Sequence, residues 1–227
     1  MIRMIYAQVA LVSTISLLAF GASTALSVPT AAAAPAQAGK KTKKHRTRKK
    51  TVKKVASVKI AAGTETLMFD TRAVQALEKA KVSVTVVSPA TGGLASGFVF
   101  PLSGGKLNPA SGLGSITATG GITLATSFSV PGLFSSESNS TISEPSLVLN
   151  SAPTLSFTSQ QVSPPTFAFA GVRLKGVHPV VHGAAMTLAN LSLSLSSAGV
   201  QFLSQFASGA FSAGEAVGTV TVQVTAS

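Results

Sequence analysis

The sequence has no cysteine and no tryptophan, a single tyrosine, three histidines and only six acidic residues among 227. Without cysteine there is no disulfide, no thiol nucleophile, no iron–sulfur ligation and no lipid-anchor cysteine. Such a chain must be held by its core alone; a domain of about 160 residues buries roughly 70% of its unfolded surface, which is enough. The scattered carboxylates supply no pair for general acid–base work. Serines are plentiful, but no Gly-x-Ser-x-Gly elbow is present. Gly92-Gly93 and Gly104-Gly105 lack the spacings that cradle phosphates and read as turns. Every catalytic recipe lacks a member, so the expectation is a protein that is not an enzyme.

The net charge of +12 is confined to one segment. Eleven of the eighteen Lys and Arg lie between Lys40 and Lys59, whereas six basic and six acidic residues balance from Ile60 onward. Ahead of this run, Met1 to Arg3 gives a short basic start, and Ile5 to about Ala25 is apolar. Small residues then follow at Ser23-Thr24-Ala25 and Ala36-Gln37-Ala38. That layout is a secretory signal over residues 1–27, with a retained membrane anchor as the alternative. Residues 28–60 are Ala/Pro-rich, then Lys/Arg-rich. Self-repulsion and scarcity of apolar side chains predict a disordered, extended tether there. The domain occupies 61–227.

That domain reads as many short strands separated by Gly, Pro, Ser and Asn. Val82–Val87, Phe98–Phe100, Ser146–Asn150, Thr154–Thr158, Phe167–Phe169 and Val172–Lys175 are strand-like. Leu188 to Leu195 alternates with a slip near Asn190, and Val217–Val224 alternates Val with polar residues. Gly114–Thr119 and Ile122–Phe128 flank Gly120-Gly121, a pair suited to a hairpin turn. Two segments break the pattern. Asp70 is a good N-cap for a short helix burying Ala73, Val74, Leu77 and Ala80 on one face, and Ser196-Ser197 opens another carrying Val200, Leu203 and Phe206. The expected fold is mainly β: a two-layer, antiparallel, sandwich-like domain with two short helices. Strand, cap, helix and strand recur in that order near both ends of the domain.

The strings LMFDTRAVQALEKAKVSVTVVSPA and FVFPLSGGKLNPASGLGSITATGGITL resemble the core of the HtaA-type domain, the haem-transport-associated domain of actinobacterial secreted and surface proteins. The resemblance is carried by Phe100-Pro101, Ser103-Gly104-Gly105, the Asn108–Gly112 turn, Gly114-Ser115-Ile116 and Gly120-Gly121. Pro145–Leu149 and the stretch from Leu193 to Val222 continue it, over about residues 62–225. It implies an extracytoplasmic, cell-envelope protein with haem as a candidate cofactor. It further implies a haem-ligating tyrosine near the first helix and a histidine after the Gly-Gly pair. This chain departs at both places. Its only tyrosine is Tyr6, inside the leader, and Ile122–Phe128 contains no histidine.

Two candidate ligand residues remain, His178 and His182. Their i, i+4 spacing suits one face of a helix, but Pro179 disfavours helix at His178. On a strand the two would stand about 13 Å apart, too far for one ion. No metal site is expected, and exposed loop histidines are the competing reading. Nine phenylalanines, Phe98, Phe100, Phe128, Phe157, Phe167, Phe169, Phe202, Phe206 and Phe211, supply either a shared core or an apolar groove for haem or another apolar small molecule. In the tether, Lys40, Lys41, Lys43, Lys44, Arg46, Arg48, Lys49, Lys50, Lys53 and Lys54 are expected to contact an anionic wall polymer or anionic lipid. Specific nucleic-acid binding is not expected, since no aromatic residue is interleaved for base stacking. The function expected is an exported, non-catalytic envelope protein that binds a ligand or serves a surface-structural role. The alternative is an electrostatically wall- or lipid-associated protein whose domain binds no small molecule.

Overall fold

The computed structural model describes residues 56–130 and 134–227, the side chains of Phe128 to Phe134 excepted. The expected signal segment, the ten Lys and Arg from Lys40 to Lys54 expected to contact a polyanion, and the Phe128 side chain therefore lie outside the described residues. The strands are β1 (Val58–Phe69), β2 (Ser83–Val87), β3 (Thr91–Gly93), β4 (Gly97–Leu107), β5 (Gly114–Ala118) and β6 (Gly121–Val130). They continue with β7 (Phe134–Leu149), β8 (Thr154–Thr158), β9 (Thr166–Arg173), β10 (Val180–His182), β11 (Ala185–Leu195) and β12 (Ala216–Ala226). Helix α1 (Thr71–Lys79) follows β1, and α2 (Ser197–Ser204) follows β11.

Eight strands run β7-β5-β4-β1-β12-β11-β9-β8, each antiparallel to the next. β8 then returns to β7 through pairs such as Leu147↔Leu155, so the sheet closes on itself. The expected fold class holds, mainly antiparallel β with two short helices, and the two layers are opposite walls of one closed barrel. β6 and β2 extend the sheet outward from the first half of β7, while β3 and β10 pair with β4 and β11.

Alternation builds the interior. Leu67 and Phe69 on β1, Phe98 and Phe100 on β4, and Val220, Val222 and Val224 on β12 are buried, with more exposed residues between them. The rings meet edge to face: Phe69–Phe98 at 6.1 Å, Phe100–Phe157 at 6.3 Å and Phe157–Phe169 at 5.6 Å between centroids. Eight of the nine phenylalanines named above are thus buried, and they form the shared core. The slip near Asn190 is also present. The β11–β12 register shifts between Leu188 and Leu191, Asn190 takes φ 55°, and its N–H donates to Thr221 Oγ1 at 3.2 Å.

The Gly120-Gly121 hairpin is not found. β5 and β6 never pair with one another; both pair with β7, so the chain carries straight on through the glycines. What the glycines provide is clearance. A Cβ on Gly120, which has φ +90°, would lie 2.5 Å from Ala90 N, and one on Gly121 would lie 2.4 Å from Ile142 O. The pair marks a close backbone crossing rather than a reversal.

Candidate functional site

Both helices sit at one end of the barrel, and pairing with β12 puts them there. The last residue of β1, Phe69, lies opposite Gly218, and Ser194 near the end of β11 lies opposite Ala216. Each helix leaves from the start of β12 on either side. Asp70 Oδ1 accepts the Ala73 N–H at 2.8 Å and Ser196 Oγ accepts the Gly199 N–H at 2.9 Å, so both expected caps are in place. Ser196 Oγ also donates to Ala168 O, tying α2 to β9. Gly199 lets α2 lie flat on that strand, since a Cβ there would stand 2.1 Å from Phe169 O. Arg72 forms an ion pair with Glu215, linking the first turn of α1 to the turn before β12.

Between the end of α1 and the turn after α2 lies a cleft of about 580 Å³. Ala76 and Ala80 form one wall without side-chain bulk; Phe206, Ala207, Gly209 and Ala210 form the other. Lys79 and Ser208, both exposed, contribute the polar groups at its lining. The volume is ordinary for a small-molecule site. The lining includes no His, Tyr, Cys or Met, the side chains able to bind haem iron end-on. It offers small apolar surfaces, one aromatic edge and one ammonium.

His178 and His182 are elsewhere. His178 lies in the loop before β10 and His182 on β10 itself; both are exposed, and neither lines the cleft. Among the described residues no group of three His, Cys, Asp or Glu is placed to hold a metal ion. Nor, among them, is any helix long and apolar enough to cross a membrane.

Glu65 is not among the residues that the sequence singles out. Its side chain is fully buried on β1, and neither carboxylate oxygen has a hydrogen-bond partner among the described residues. Burial pushes its pKa up from 4.5 to about 8. The sequence did carry a signal, because Glu65 shares strand parity with Leu67 and Phe69, both of which face the core.

No family model and no curated protein matches the sequence. Among solved structures, the C-terminal domain of HtaA from Corynebacterium glutamicum is similar over 75% of this chain and 100% of its own, with TM-score 0.53 and 14% identity. The N-terminal domain of the same protein is similar over 74% and 98%, with TM-score 0.49 and 15% identity. The heme-binding protein HtaB of that organism is similar over 76% and 96%, with TM-score 0.46 and 15% identity. The chain has the fold of an HtaA domain.

Proposed function

We propose that this is an exported, non-catalytic binding domain of the cell envelope, and that the cleft between α1 and the turn after α2 takes a flat apolar ligand of the haem type. The observation that carries the reading is the cleft itself. Two alanines on α1 leave room for a planar ring, Phe206 supplies an aromatic contact, and Lys79 stands where it can pair with a ligand carboxylate. The HtaA-like fold and the resemblance of the sequence to haem-transport-associated domains support the same ligand class. With no iron-binding side chain in the cleft, the ring would be held by its faces and its carboxylates.

The test is a hemin titration of the full chain, followed by Soret absorbance at high salt, which suppresses attraction between the basic tether and the haem propionates. Saturable binding is expected. It should be abolished by Ala80→Phe, which fills the cleft, and weakened by Lys79→Glu. His178→Ala and His182→Ala should leave it unchanged; loss of binding in either would move the site to the β10 edge. No shift beyond that of an unrelated protein would remove the haem reading. In that case the second reading stands, in which the run from Lys40 to Lys54 holds the protein on an anionic wall polymer or lipid. Its signature would be salt-reversible retention on isolated envelopes, lost when those residues are neutralised.

A further inference from the structure

The wall of the barrel beside Glu65 is incompletely laced. β1 and β4 pair at Val58↔Leu107 and Lys59↔Lys106, then not again until Thr64↔Pro101 and Glu65↔Phe100. The register is the same on both sides, so residues 60–63 and 102–105 face each other across a gap without ladder pairs. Irregularities flank the gap on both outer sides. The β1–β12 register shifts between Ile60 and Ala62, and the β4–β5 register between Leu102 and Gly104. Three of the eight residues along the gap, Gly63, Gly104 and Gly105, lack side chains. Ile60 and Leu102 each cover a glycine of the facing strand: the Cδ1 of Ile60 lies 3.0 Å from where a Cβ of Gly105 would be, and the Cδ1 of Leu102 3.0 Å from where a Cβ of Gly63 would be. At the near end Pro101 has no N–H to give. At the far end Lys59 and Lys106 stand opposite one another, a like-charge pair that weakens the closing rung.

We propose that Glu65 makes this gap a proton-controlled seam: the carboxylic acid keeps β1 laced to β4, and its ionisation parts the two strands locally so that water reaches the carboxylate. A buried carboxylate needs a partner or solvent, and the structure provides no partner among the described residues. The cross-strand neighbours of Glu65 are Phe100 and Val222. β12 carries no titratable side chain, and the only one on β4 is Lys106, which is exposed. β5, β8 and β11 carry none; Glu137 and Glu144 on β7 and Arg173 on β9 are exposed. Around α1, Asp70 is committed to its cap, Arg72 is paired with Glu215, and Glu78 and Lys79 are exposed. The gap beside Glu65 is where β1 and β4 already lack ladder pairs, and it is the route to water that the proposal uses.

The experiment is amide hydrogen exchange of the full chain between pH 5 and 9, corrected for the intrinsic pH dependence of exchange, with Glu65→Gln alongside. Protection along Thr64–Leu67 and Phe98–Phe100 should fall in the wild type by up to about tenfold per pH unit, levelling off above pH 8. Protection along β8 and β9, lost only as the whole barrel unfolds, should stay above that of the seam at high pH. In Glu65→Gln the seam should keep its protection at every pH. Should that variant fail to fold, Glu65→Leu, an apolar side chain among apolar neighbours, takes its place with the same expectation. Equal pH dependence in wild type and variant would overturn the proposal, as would seam amides that exchange no faster than those of β8 and β9 at pH 9.

Discussion

Lys59 on β1 stands directly opposite Lys106 on β4, and both side chains are exposed on the outer wall of the barrel. Two ammonium groups across one rung repel, and only the neighbouring Val58↔Leu107 rung lies with it on that side of the gap. Lys106→Glu replaces the repulsion with attraction. We expect it to raise stability by about 0.2–1 kcal/mol at low salt and by less at high salt. Urea denaturation at the two ionic strengths measures both; a gain that salt leaves untouched would place its origin somewhere other than charge.

Glu65 sets a pH dependence whose sign follows from its environment. Its unfolded-state pKa is near 4.5 and its folded-state pKa is about 8, so the folded chain holds a proton that the unfolded chain has released. Its stability contribution is complete below about pH 4.5 and is lost as pH rises through 8, at roughly 1.4 kcal/mol per pH unit within that window. The wild type should therefore denature at lower urea concentration at pH 8 than at pH 5. Glu65→Leu should be more stable than wild type at pH 8 and should flatten the difference. A wild type whose midpoint climbs over the same interval would show that this carboxyl does not govern stability.

The caps Asp70 and Ser196 hold the two helices that form the cleft. Replacing either by Ala should cost about 1 kcal/mol, with the larger loss at Ser196, whose hydroxyl also reaches Ala168 O on β9. Gly199→Ala should cost more than either, because its methyl group would meet the Phe169 carbonyl. Thermal denaturation of the three variants orders them. The order would be wrong if Gly199→Ala proved neutral.

Much of this fold is written in local pattern. β12 shows itself through alternating valines, the helices through Asp70 and Ser196 followed by apolar residues at helical spacing, and the β11 bulge through Asn190. What stayed hidden depends on partners distant in sequence. The early part of β1, with Ala61-Ala62-Gly63, has low strand propensity and adjoins the basic run; it becomes strand because β12 pairs along it, through Ile60↔Ala226, Ala62↔Thr225 and Gly63↔Val224. Gly120-Gly121 carries the composition of a hairpin, yet β7 pairs with both flanking segments and keeps them in line. Closure rests on pairing between β7 and β8, which alternation cannot predict. The cleft was illegible for the same reason, since Ala76 and Ala80 acquire meaning only once Phe206 and Gly209 are brought against them. Glu65 was the exception, readable from its parity with Leu67 and Phe69.

The first and last strands of the domain pair along most of their length, and Ser227 donates its N–H and its hydroxyl to the carbonyl of Lys59, 168 residues earlier. β12 also forms the bridge between β1 and β11, so the circle cannot be completed without it. Synthesis from the N-terminus leaves Val58–Phe69 without its β12 partner until Ala216–Ala226 has been made. Closure of the barrel is thereby deferred until β12 is in place, and a truncation within that strand removes a stave from the middle of the wall rather than trimming an edge.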